Sequence, residues 1–117
     1  MMVAPVVNEK SMSTEKLVSE SLLNVDFHSV KKASLVLRAL NHKLRQQLLK
    51  VIEDEKKITV TEIYVKLRLE QSVASQHLAI LRKAEIVATE RDGKFIYYTI
   101  NHKRIEEINK FVKELVG

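Results

Sequence analysis

Gln71-Ser72-Val73-Ala74-Ser75-Gln76-His77-Leu78-Ala79-Ile80-Leu81-Arg82-Lys83-Ala84 and, two residues further on, Val87-Ala88-Thr89-Glu90-Arg91-Asp92-Gly93-Lys94-Phe95-Ile96-Tyr97-Tyr98-Thr99-Ile100 decide how this chain folds. In the first stretch Ala74, Leu78 and Leu81 recur at helical spacing, and Ser72, Ser75, Gln76, Ala79 and Lys83 fall on the opposite side. This predicts a helix over 71–84 with one apolar face and one face that is polar but almost uncharged. The second stretch is rich in β-branched and aromatic residues, so Val87–Arg91 and Lys94–Ile100 are expected as strands. Asp92-Gly93 between them suits a type I′ turn, which closes a β-hairpin.

Immediately upstream, Ile58-Thr59-Val60 is too short for a helix and reads as a small strand. Thr59 and Glu62 form a capping box, which starts a helix that carries Ile63 and Leu67 inward. That helix gives way over Arg68–Glu70, a turn without glycine. Two short helices joined by a tight turn and followed at once by a hairpin make the element order of a winged helix-turn-helix.

Three further helices are expected ahead of this unit: 14–25 with Val18, Leu22 and Val25 in phase; a second capped by Asp26 with Val30, Ala33, Leu37 and Leu40 on one face; and a third, capped by Asn41 and ending near Asp54, with Leu44, Leu48, Val51 and Ile52 in phase. Asn41 is also placed to end the second. Behind the hairpin, Asn101 caps a last helix in which Ile105, Ile108, Val112 and Leu115 form a heptad-like seam. The fold class is therefore mainly α with a small β-hairpin, in the order α-α-α-β-α-α-β-β-α.

The 117 residues suffice for one compact domain, expected over 13–117 behind a mobile tail at 1–12. With 45% hydrophobic and 30% charged residues there is ample material for a core and no sign of disorder, and two glycines and one proline favour helix. The absence of cysteine excludes disulfides and thiolate chemistry. Val3–Val7 is too short for a signal peptide and no segment reaches membrane-spanning length, so a cytoplasmic protein without membrane association is expected. No nucleophile-and-base set, glycine-rich phosphate loop or metal-ligand spacing is present, which argues against an enzyme and against a cofactor or metal. The net charge is +5, and residues 31–50 hold Lys31, Lys32, Arg38, Lys43, Arg45 and Lys50 without an acid. Such a block serves equally as a solvated face or a contact for a polyanion.

Entry of a helix into the major groove of DNA needs small, hydrogen-bonding side chains, because bulky apolar groups would lie wet in the free protein and acids would repel phosphate. Ser72, Ser75 and Gln76 meet this need, with Gln71, His77, Arg82 and Lys83 on the same helix and Arg91 and Lys94 at the hairpin tip as phosphate contacts.

The 69–84 stretch resembles the recognition helix of ArsR/SmtB-type repressors, which tends to read Ser-Gln-Ser-x-Val-Ser-x-His-Leu-x-x-Leu-Arg-x-Ala-Gly-Leu-Val. Ile86-Val87, Arg91-Asp92-Gly93-Lys94 and Tyr97-Tyr98 are similar to that family's wing, and Ala39-Leu40-Asn41-His42-Lys43-Leu44-Arg45 to its Ala-Leu-x-(His/Asp)-Pro-x-Arg segment, with Lys43 in place of proline. The likeness covers roughly residues 30–116. It implies a dimeric repressor of double-stranded DNA, and leaves its signal open among a small molecule, a partner protein, a histidine site and none. Where members of the family that sense soft metals carry Cys-x-Cys-Asp-Leu, this chain has Thr59-Val60-Thr61-Glu62-Ile63, and hydroxyls are poor ligands for soft ions. At the family's second metal site, His102, Arg104 and Leu115 do not supply the ligand set. Glu85 stands where the resemblance implies a helix-ending glycine and Glu70 where it implies a capping serine.

The seam Ile105, Ile108, Val112 and Leu115, with Val18 and Leu22, is expected to bury a symmetric dimer surface. The alternative to a DNA reader is a winged-helix module that binds protein without reading DNA.

Overall fold

The computed structural model describes residues 23–117, so most of the helix expected over 14–25, with Val18 and Leu22, lies outside the described residues; Leu23–Val25 are not helical. Five helices and three strands follow: α1 (Phe27–Leu40), α2 (Lys43–Glu55), β1 (Ile58–Thr59), α3 (Val60–Leu67), α4 (Gln71–Lys83), β2 (Val87–Asp92), β3 (Phe95–Ile100) and α5 (His102–Val116). Leu35–Gly117 forms one compact unit. In the described residues ahead of it, Asp26 begins α1 by accepting from the Ser29 backbone N–H at 3.2 Å and from its hydroxyl at 2.7 Å.

The core of the unit is built from Leu48, Ile52, Ile58, Ile63, Leu78, Leu81, Ile86 and Val87, with Ala39 and Ile108 closing it. The α1 residues that reach it are Val36, Leu37, Ala39 and Leu40. Val30, expected on the inward face, is half exposed.

Capping explains where the helices begin. Thr59 and Glu62 form the expected reciprocal box at α3. At α2 the cap is His42, not Asn41: its Nδ1 accepts from the Leu44 N–H at 3.2 Å, a geometry that a side chain one residue earlier does not occupy. Three helices end on non-glycine residues with positive φ: Lys56 (72°), Arg68 (56°) and Glu85 (63°). A positive φ on a residue with a Cβ costs roughly 1–3 kcal/mol, so these exits are held by the tertiary structure against local preference.

The sheet is antiparallel in the order β1-β3-β2, with Ile58 opposite Tyr98 and Thr89 opposite Tyr98 on the other side. Asp92 pairs with Phe95, so the two turn residues are Gly93 and Lys94 rather than Asp92 and Gly93. Of the pair only Gly93 has positive φ (65°). That pattern matches a type II′ turn, which takes glycine first, and corrects the expected type I′.

Candidate nucleic-acid interface

α4 follows α3 through a turn in which Arg68 takes the left-handed conformation (φ 56°, ψ 46°) and its N–H bonds back to the carbonyls of Tyr64 and Val65. Ala74, Leu78 and Leu81 are fully buried. Gln71, Ser72, Ser75, Gln76, Ala79, Arg82 and Lys83 are therefore turned outward, and all are exposed. The outward stripe runs from uncharged hydrogen-bonding groups to two cations in the last turn, where positive charge also suits the helix dipole.

The far end of α4 is closed by a Schellman motif. Ile86 N–H bonds the Leu81 carbonyl at 3.0 Å and Glu85 N–H bonds that of Arg82 at 2.9 Å, with Glu85 left-handed between them. Glu85 thus occupies a position whose backbone asks for glycine. At the other end Glu70 is the N-cap residue but makes no capping hydrogen bond with its side chain.

His77 departs from the rest of the helix. It is half-buried, its Nδ1 lies 3.1 Å from Arg45 Nη1, and its ring centroid is 4.8 Å from that of His42. Arginine is always protonated and can only donate, so His77 accepts at Nδ1 and carries its proton at Nε2. Burial, then the neighbouring His42 and Arg45, hold its imidazole below the usual 6.5. His77 therefore ties α4 to the body of the protein, and packing against Arg45 and His42 is the role its contacts support.

Arg45 belongs by sequence to the basic block of residues 31–50, yet it is 6% exposed. Its Nε donates to the Ala39 carbonyl at 2.7 Å and its Nη2 to the Arg38 carbonyl at 2.9 Å. Both carbonyls lie in the last turn of α1, where helical partners run out, so Arg45 is a structural clasp. Lys50 pairs with Asp54, which leaves Arg38 and Lys43 as the exposed cations of the block within this unit that have no partner among the described residues.

The register of the wing sorts its charges. Residues paired across the ladder share a face, and faces alternate along each strand. Val87, Thr89 and Arg91 therefore lie on one face with Ile100, Tyr98 and Ile96, the face that packs on the core, whereas Glu90 and Asp92 lie on the other with Tyr97 and Phe95. Arg91 is carried on the side that looks toward α4, and the two acids are carried away from it. Lys57, which sequence reasoning passed over, joins the back of the wing: its Nζ is 3.7 Å from Asp92 and 4.9 Å from the Tyr97 ring centroid. Pairing of β1 with β3 brings it there, and no local signal marks it.

A cation-ended polar helix beside a basic wing face is the layout of a DNA reader. A sequence model of the bacterial regulatory protein, arsR family, matches residues 42–89. The transcriptional repressor PagR of Bacillus anthracis is 30% identical over 91 residues, which cover 78% of this chain and 91% of that one. The chain belongs to the ArsR family. It is a DNA-binding transcription regulator with a winged helix-turn-helix, and not an enzyme. The crystal structure of PagR superposes with a TM-score of 0.60 at 31% identity over 74% of this chain and 99% of that one. NolR from Sinorhizobium fredii gives 0.64 at 27% identity over 82% and 95%. The transcriptional activator HlyU of Vibrio cholerae is 31% identical over 84 residues, 72% of this chain and 77% of that one.

The seam of α5 divides between two roles. Ile108 is 7% exposed and belongs to the chain's own core, which corrects its assignment to a dimer surface. Ile105 and Val112 pack partly against that core, whereas Leu115 is 66% exposed, beside Phe111 and Val116. The base of α5 is pinned to the exit of α4: Arg104 Nε donates to the Ala84 carbonyl at 3.0 Å and Asn101 Nδ2 to that of Glu85 at 3.0 Å. No described helix is long and apolar enough to cross a membrane.

Proposed function

We propose that the protein is a homodimeric repressor that reads an operator of two half-sites, one per α4. The observation that carries this is the outward stripe Ser72, Ser75, Gln76 and Ala79, uncharged and exposed, running into Arg82 and Lys83 and flanked by Arg91 on the inner face of the wing. Gln76 pairs in bidentate fashion with adenine, while Arg82, Lys83, Arg91 and Lys94 hold phosphates. PagR, named a transcriptional repressor, supports repression as the output.

Dimerisation runs through the exposed apolar groups of α5, Phe111, Leu115 and Val116, with the outer sides of Ile105 and Val112. A single α4 covers only a few base pairs, so useful selectivity needs two copies at a set separation. Because Arg104 and Asn101 bond the carbonyls at the end of α4, a change in the packing of α5 against its mate is passed to the reading helix. An effector at that interface would act in this way.

The regulator works without a soft-metal site. In support of this reading, Thr59 and Glu62, within the stretch where relatives that sense soft metals carry thiolates, are engaged with each other in the capping box.

The test is binding of fluorescent duplex to the purified protein between 50 and 200 mM salt. With six to ten phosphates contacted, affinity should fall by roughly 10³–10⁵ across that range. Binding that ignores salt would refute the proposal.

A further inference from the structure

Between the last turns of α4 and strand β3 lies an open groove of about 400 Å³ lined by Ser75, Ala79, Arg82, Lys83 and Tyr98. Ala79 is the smallest of the five side chains lining it. No acid lines the groove. The side chains of Ser75, Arg82, Lys83 and Tyr98 make no hydrogen bond or ion pair with any other described residue, and no buried side-chain polar atom is left unpaired, so the Tyr98 hydroxyl is wetted. Yet the Tyr98 ring is half-buried against the core and held between Ile58 and Thr89 in the ladder. A phenol on a fixed ring, a serine hydroxyl, a guanidinium and an ammonium thus line one groove, every one of them able to donate.

We propose that this groove seats one phosphate of the DNA backbone and that Tyr98, through its hydroxyl, is the residue that positions it. The inference rests on the DNA-reading role of α4. An open, solvated groove holds a free anion weakly, because exposed ion pairs gain little in water. A phosphate on a duplex already gripped by helix and wing arrives at high effective concentration, and the same four donors then suffice. The groove lies at the seam of the two gripping elements, on the wing face that also carries Arg91. Tyr98 thereby sets how far α4 sinks into the major groove.

The test pairs Tyr98→Phe with a duplex carrying a neutral methylphosphonate at each backbone position in turn. The ring stays, so the variant should melt at the wild-type temperature. It should bind every sequence about five- to tenfold more weakly. Its salt slope should be unchanged, because no charge is removed, whereas Lys83→Ala should lower the slope by about one. At one phosphate per half-site the methylphosphonate should abolish the difference between Tyr98→Phe and wild type. A silent Tyr98→Phe on a tightly bound operator, or a loss that is the same at every methylphosphonate position, overturns the seat and leaves the DNA-reading role standing. Failure of the wild type to bind any duplex overturns both. Inorganic phosphate at constant ionic strength should produce no saturable NMR shift at Ser75 or Ala79 below roughly millimolar concentration. Saturation well below that would mark a small-anion site and overturn the assignment to the DNA backbone.

Discussion

Replacing Glu85 by glycine should make this regulator more stable, although it removes an entire side chain. Glu85 sits at φ 63° between Ala84 and Ile86, where the Schellman motif needs a left-handed residue. All its hydrogen bonds are made by backbone: its N–H to the Arg82 carbonyl, and its carbonyl from Asn101 Nδ2. Its side chain bonds no described residue, so truncation breaks no hydrogen bond or ion pair among them. A Cβ in this conformation costs roughly 1–2 kcal/mol. Glycine gives back about 0.5–1 kcal/mol through the greater freedom of the unfolded chain. The net gain is about 1 kcal/mol, which for a domain of this size raises the melting temperature by roughly 4–8 °C. Thermal unfolding followed by circular dichroism reads it directly. Glu85→Ala is the control, since it removes the same charge but keeps the Cβ, and it should melt close to wild type. A Glu85→Gly protein no more stable than wild type would refute the reasoning. Equal gains in both variants would assign the effect to charge rather than to backbone strain.

Arg45→Met should cost roughly 3 kcal/mol in urea unfolding, because two helix-end carbonyls and His77 lose their donor together, and Arg45→Lys should not rescue it, since an ammonium cannot span three acceptors. The depressed pKa of His77 means that the unfolded chain binds its proton more readily, so stability from this group is complete above about pH 6.5 and falls as pH drops through the folded pKa below it; His77→Gln should flatten that part of the profile, and an unaltered profile would rule His77 out as its source. Gln76→Ala should lose about 1–3 kcal/mol on a mapped operator and relax its sequence choice, whereas Arg91→Ala should weaken all duplexes alike. For assembly, Leu115→Asp should shift sedimentation toward monomer while leaving the fold intact, whereas Ile108→Asp should unfold the protomer, being in its core; a wild type that sediments as a monomer would end the dimer proposal.

The elements of this fold were legible in the sequence because their signals are local. The capping box at Thr59 and Glu62, the cap at Asp26, the phase of Ala74, Leu78 and Leu81, and the β-branched run to Ile100 each act over a few residues, and each stands in the structure. The outward stripe of α4 followed from the same periodicity. Glycine content misled in one respect: its scarcity marked no breaks, yet three helices end on Lys56, Arg68 and Glu85 at positive φ, positions imposed by packing on either side. Only the tertiary structure decided the fates of Arg45, His77 and Ile108. Arg45 reads as one more surface cation until the open carbonyls of α1 and a histidine 32 residues away are brought around it. Ile108 fits a dimer seam by spacing alone, because periodicity gives a face but not what covers it. The wing register likewise needed the ladder, for one residue of slip would have turned Glu90 and Asp92, instead of Arg91, toward α4.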